Sequence, residues 1–264
     1  MRIFQKKSPF KKEWELLCKK EAKFLNRRAE KKESFLNQKL AEKVPEKLQM
    51  TLDHAFAKAF NMVFEKGTSV IEKTYRREEL EKTFEINKFT DEKRQTRKSL
   101  KSFSKQAEKT GNKNLLLSGV SGIGMGVLGI GIPDIPVFTG MILKNIYEIA
   151  LSYGYRYDSE EEQYFILMLI EGAVSYGDRM IEINSAVDEY MEYKRLPMYY
   201  GREEQIKKTA GALSKELLYM KFLQGIPLVG AVGGAYDVVY MKQINEYAKM
   251  KYQKRFLKDK KSGV

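Results

Sequence analysis

The chain has 264 residues, 43% of them apolar and 31% charged, which suits a large core and is too apolar for disorder outside the ends. Its formal net charge is +13, with one cysteine, Cys18, and one histidine, His54. These counts exclude an intramolecular disulfide, a multi-cysteine metal site and a His-pair site such as HExxH, so no metal and no cofactor are expected. A Ser-His-Asp or Cys-His arrangement has only His54 to draw on, and LDHAFAKAF reads as a helix face. No catalytic residue is assigned.

Apolar positions recur at helical spacing with few alternating β-branched runs, which predicts an all-α, multi-helix single domain. Residues 1–10 are expected to be a flexible start. Met1–Lys12 lacks the apolar core of a secretory signal, and Arg2 stands where myristoylation needs glycine, so the chain is expected to be cytoplasmic. A first basic helix is predicted from about Lys11 to Val44. Pro45 suits the first turn of the next helix, whose apolar face is Leu48, Leu52, Ala55, Phe56, Ala59 and Val63, with Gly67 as its stop. A short helix is predicted around Val70–Asn87. Thr90–Lys113 is basic and weakly amphipathic, either a helix or a solvated linker.

Leu115–Leu143 then brings the first of two glycine-rich apolar stretches. Asp134 is placed to cap a helix with Pro136 in its first turn and Gly154 at its end. Ser159-Glu160-Glu161-Glu162 reads as a capping box before the apolar run Tyr164–Ile170, which predicts a largely buried helix starting near residue 159. Further helices are predicted over Asp178–Arg195 and Arg202–Phe222. The last is predicted to start around Pro227, carry the second glycine-rich stretch (Phe222–Met241) and end at Phe256, leaving 257–264 as a flexible tail.

Charge divides the chain in three. Residues 1–113 hold 30 Lys+Arg against 17 Asp+Glu, residues 114–241 hold 10 against 16, and residues 242–264 hold 8 against 2. An acidic, glycine-rich core (114–241) thus lies between basic helices (11–113) and a basic helix end (242–256). Basic residues beside apolar segments attract anionic headgroups. The candidate membrane contacts are Lys101, Lys105, Lys109, Lys113, Lys251, Lys254, Arg255 and Lys258. Nucleic acid is not favoured, because the aromatic residues interleave at core spacing and form no stacking platform.

Glycine is a poor helix former in water, so its density here needs a reason. Gly124–Gly129 formally matches GxGxxG, with Glu148 about twenty residues on. A dinucleotide site needs a strand before the loop and an unbroken helix after it, and Gly131, Pro133 and Pro136 interrupt any such helix. Spacing gives a better account. Gly119, Gly122, Gly126 and Gly129 fall on one helix face, and Gly230 and Gly234 form a second GxxxG, so the two stretches are expected to pack closely against each other. Leu115–Ile132 is uncharged over about 27 Å as a helix, close to the minimum for crossing a bilayer. Asp134 and Asp237 are acids set in apolar sequence, candidates for a buried polar site, with Lys144, Arg156 or Arg179 as partners for Asp237.

The run GVSGIGMGVLGIGIPDIPVFTGMILKNIYEIALSYGYRYDSEEEQYFILMLIEGA resembles the core of the EcsC family. Its marks are a glycine-rich segment, an Asp-Ile-Pro turn, a helix ending in Tyr-Gly-Tyr, an acidic turn and a buried helix. Gly225–Ala235 (GIPLVGAVGGA) resembles the family's second glycine-rich element, and Val44-Pro45-Glu46-Lys47 with its following helix also fits. The resemblance covers roughly residues 10–256. The family's namesake is encoded alongside the ATPase and permease of an ABC transporter in Gram-positive bacteria. The resemblance therefore implies a cytoplasmic-face, membrane-associated role linked to a transporter or to protein secretion, and it brings no catalytic residue.

The expected function is a non-enzymatic, peripheral membrane protein whose partner is an anionic membrane surface or a membrane protein complex. Two alternatives stand beside it. One is an integral protein with both glycine-rich segments inserted. The other is a lipid-acting hydrolase or lipid-binding protein with an apolar pocket near Asp134 and Asp237.

Overall fold

The computed structural model describes residues 7–29, 45–110, 135–223 and 234–263, and among these every regular element is a helix. In chain order they are α1 (Pro9–Ala29), α2 (Glu46–Met62), a π-helical turn (Val63–Gly67), α3 (Thr68–Glu72), α4 (Arg77–Arg94), α5 (97–110), α6 (Ile135–Ser152), α7 (Glu160–Val174), α8 (Gly177–Tyr193), α9 (Arg202–Leu223) and α10 (Gly234–Ser262). The fold is all-α, as the helical spacing predicts.

The apolar run after Ser159 makes α7 the centre of the core, buried on every side from Tyr164 to Val174. A helix apolar all round is stable only with neighbours all round, and α7 packs against α8, α9 and α10. Around it α2 joins α9 to α6, α6 adjoins α10, and α1 bridges α10 and α8. α4 lies outside this group on α6. Phe84 of α4 and Phe103 of α5 both pack on Phe256 of α10, the latter at 4.4 Å between ring centroids. α5 is thus a helix joined to the core through Leu100, Phe103 and Ala107, which decides against the linker alternative.

Caps account for several helix ends. The Ser159 hydroxyl accepts the Glu162 N–H at 3.2 Å, as predicted, but only half of the capping box forms. The Glu162 side chain turns inward, bonding to Tyr252 and Arg255. At the end of α6, Tyr155 N–H reaches Ala150 O and Gly154 N–H reaches Leu151 O, a Schellman pair with Gly154 at φ 80°. A Cβ at Gly154 would lie 2.2 Å from Cζ of Phe84. Both the turn and the close approach of α4 therefore require glycine there.

Four boundaries differ from the sequence expectation. Pro45 stands just outside α2, and its carbonyl accepts Leu48 N–H and Gln49 N–H. Gly67 does not stop the helix; the π turn carries the chain through to α3 and keeps Val63, Phe64 and Ile71 on the core side. The helix expected over 70–87 breaks before Arg77, where Thr74 N–H and its hydroxyl both bond to Ile71 O and Tyr75 turns to meet the Tyr157 hydroxyl. The expected tail after Phe256 is helical to Ser262, with Leu257 buried and Asp259 bonded to Tyr155 and Lys194.

Candidate functional site

Several candidate residues lie outside the described residues: Gly119, Gly122, Gly126, Gly129, Gly230, Asp134 and Lys113. The contact expected between the two glycine-rich stretches, and the Leu115–Ile132 run, lie there too. Gly234 opens α10 and Asp237 stands on its first turn. The helices that begin within the two stretches, α6 and α10, are neighbours, and Asn145 Nδ2 donates to Met241 Sδ at 3.5 Å. Arg156 and Arg179 face other acids: Arg156 meets Asp158 at 3.0 Å, and Arg179 meets Glu171 at 2.5 Å and Glu182 at 3.1 Å. His54 is exposed on α2.

Most of the candidate contacts on α10 turn inward. Lys251 has no exposed side-chain surface, and its Nζ donates to Glu21 of α1 at 2.5 Å and Asp188 of α8 at 2.8 Å. Lys254 meets the same two acids at 2.8 and 3.0 Å. Arg255 donates to Glu162 of α7 at 2.7 Å and lies over the Tyr155 ring at 4.1 Å, while Tyr252 donates to the other Glu162 oxygen at 2.7 Å. Lys258, half-buried, pairs with Glu192 at 2.5 Å. Lys251, Lys254 and Arg255 are thus engaged within the fold, each holding α10 to a neighbour.

Electrostatics agree with that role. Burial pushes the Lys251 ammonium down, against the opposing pull of Glu21 and Asp188. Lys254 is also desolvated, but its bonds to Glu21 and Asp188 carry it above its ordinary value. Burial raises the Asp188 carboxyl less than the two lysines lower it, so it ends below the usual range. Each carboxylate here answers a cation. A paired network of this kind fixes helix positions, and breaking one side of it is costly. Among the described residues no group of His, Cys, Asp and Glu is placed to hold a metal ion.

α5 presents the opposite case. Ser99, Leu100, Phe103, Ala107 and Thr110 form its buried face. Lys98, Lys101, Lys105 and Lys109, spaced by three, four and four residues, line up along the far side. Lys98, Lys105 and Lys109 are exposed and Lys101 is half-buried. None of the four pairs with a carboxylate among the described residues. At 1.5 Å per residue the row is about 16 Å long. Sequence reasoning misses Lys98 because the helix start at 97 cannot be told apart from the preceding basic run.

The neighbouring helix α4 adds apolar groups to this surface. Its inner side is Leu80, Phe84 and Asp91, with Asp91 accepting the Ser99 hydroxyl at 2.5 Å and forming an ion pair with Lys260 at 2.6 Å. The opposite side carries Lys82, Ile86, Phe89 and Lys93, and the two apolar side chains are 66% and 61% exposed. Lys93 Nζ sits 5.6 Å from the Phe89 ring centroid. No described helix is long and apolar enough to cross a membrane.

The comparisons with known proteins agree with the resemblance seen in the glycine-rich motifs. Protein EcsC of Bacillus subtilis (strain 168) is 24% identical over 164 residues, which cover 61% of this chain and 66% of that protein, just under two thirds of its length. No solved structure matches the chain. The profile of the EcsC protein family matches residues 11–257, nearly the whole chain from α1 to within five residues of the end of α10, and the chain belongs to that family.

Proposed function

We propose that this protein is a non-enzymatic helical protein that binds the cytoplasmic face of a membrane peripherally, using α5 as its electrostatic contact. The observation that carries this reading is the unpaired lysine row Lys98–Lys101–Lys105–Lys109. Lysines that form no ion pair among the described residues, on a helix anchored at its other face, suit a surface of negative charge. Each is worth about 1 kcal/mol next to anionic lipid. The paired lysines of α10 contribute structure and leave the contact to α5. Family membership extends the proposal to a partner on the same face, an ABC transporter or the protein secretion machinery, to which this protein would be accessory.

The test is co-sedimentation with vesicles of anionic and of neutral lipid at two salt concentrations. Binding to anionic vesicles is expected, weakened by salt. A variant with Lys98, Lys101, Lys105 and Lys109 all changed to Gln should lose roughly three orders of magnitude in partitioning, from about 1 kcal/mol per lysine. Equal binding to both lipids, or unchanged binding by the variant, removes the electrostatic reading.

A further inference from the structure

We infer that the outer face of α4 enters the bilayer, with Ile86 and Phe89 as the inserted groups; the inference rests on the membrane reading above. In water two large apolar side chains on one exposed helix face are unfavourable, and single scattered ones are ordinary. Here they are adjacent at i and i+3, and they are framed along the axis by Lys82, four residues before Ile86, and Lys93, four residues after Phe89. That order matches a helix lying in a lipid interface, where apolar groups sink below the headgroups and lysines extend upward along them. The Lys93 ammonium already lies against the Phe89 ring.

Placement supports one surface made of both helices. Phe84 and Phe103 meet at 5.7 Å and both rest on Phe256, and Asp91 near the end of α4 bonds to Ser99 near the start of α5. The two helices therefore lie side by side over α10, each with its outer face away from it. The apolar pair and the lysine row thus lie on the outer faces of two adjoining helices, and the row's charge selects an anionic bilayer as the occupant. The more exposed pair Met198 and Tyr199, at 88% and 91%, lacks such a row and is followed by Glu203 and Glu204 at the start of α9. On α4 itself, Glu85 and Glu92 are exposed beside the pair. Insertion therefore depends on α5 to overcome their repulsion.

Phe89→Trp in a Trp14→Phe background gives a single reporter for depth. With anionic vesicles whose acyl chains are brominated, its fluorescence is expected to shift blue and to be quenched. Ile86→Ser with Phe89→Ser should weaken partitioning roughly tenfold while leaving its salt dependence unchanged. Vesicles that carry the protein down without quenching overturn the insertion and leave the peripheral reading standing. Absence of any vesicle binding overturns both. If the double serine variant instead turns a dimer into a monomer and leaves lipid binding unchanged, the face is a contact between copies and the inference is wrong.

Discussion

α5 and α10 are both lysine-rich helices, and in sequence each carries its cations on one face. Lys98, Lys101, Lys105 and Lys109 keep a three-four-four spacing, and Lys251, Lys254, Arg255 and Lys258 keep three-one-three. The difference lies in what packs opposite. α10 runs through the core, where Glu21, Glu162 and Asp188 arrive from α1, α7 and α8 to meet its charges. α5 sits at the outside with its apolar face inward, and its lysine row forms no ion pair among the described residues. Charge patterning on a helix thus identifies a face, while its use is set by neighbours distant in sequence. One row builds the protein, and the other forms no ion pair among the described residues.

The largest expected break in that comparison is at Arg255. Arg255→Met leaves Glu162, 4% exposed, with only the Tyr252 hydroxyl. An uncompensated buried carboxylate costs about 3–5 kcal/mol. Urea unfolding should show this as a lower midpoint. The four-fold glutamine variant of α5, by contrast, should stay within about 0.5 kcal/mol of the parent per exposed position, as surface changes generally do. If the α5 variant unfolds as readily as the Arg255 variant, the two rows do not differ in the way described.

A subtler probe keeps the charge and changes its shape. Lys251→Arg forces a larger, planar group into a site with no exposed surface and two acids set for an ammonium, at a cost of about 1–3 kcal/mol from overpacking. Lys105→Arg on α5 should change neither unfolding nor vesicle binding measurably, because an exposed cation meets a diffuse negative surface. Equal tolerance at both positions would mean that Lys251 is less confined than its burial indicates.

Much of the fold is legible from local chemistry. Ser159 before an apolar run announces α7, and Gly154 announces the end of α6, because caps are read within a few residues. Helix class comes from spacing alone. The misplaced boundaries share a cause: Gly67 and the 70–87 segment are governed by contacts such as Tyr75 with Tyr157, made across 82 residues. The site is legible by half. Spacing finds the lysines of α5, but it also assigns those of α10 to the membrane, because Glu21 stands 230 residues before Lys251. Glu162 reads as a cap for the same reason. Ile86 and Phe89 read as ordinary apolar positions of a helix until its inner face is known.

The smallest effect separates the two rows in acid. Asp188 has its folded-state carboxyl held below the ordinary value of 3.8; burial works against the charge, and Lys251 and Lys254 more than offset it. Between the folded and unfolded values the unfolded chain binds the proton and the folded chain does not. The stabilisation is therefore full above 3.8 and is lost as pH falls through the folded value. Asp188→Asn should lower stability at neutral pH and flatten the decline below 3.8, measured as unfolding midpoints over an acid series. Lys251 adds a change of the same sign in alkali: a lysine lowered from 10.5 gives up its proton first in the folded state, so stability again rises with pH across that window. The glutamine variant of α5 removes no carboxylate from this network, so its acid decline should superimpose on the parent's. A flattened decline in the α5 variant would show that its lysines are coupled to the carboxylates of the core, and that the outer row does not stand free.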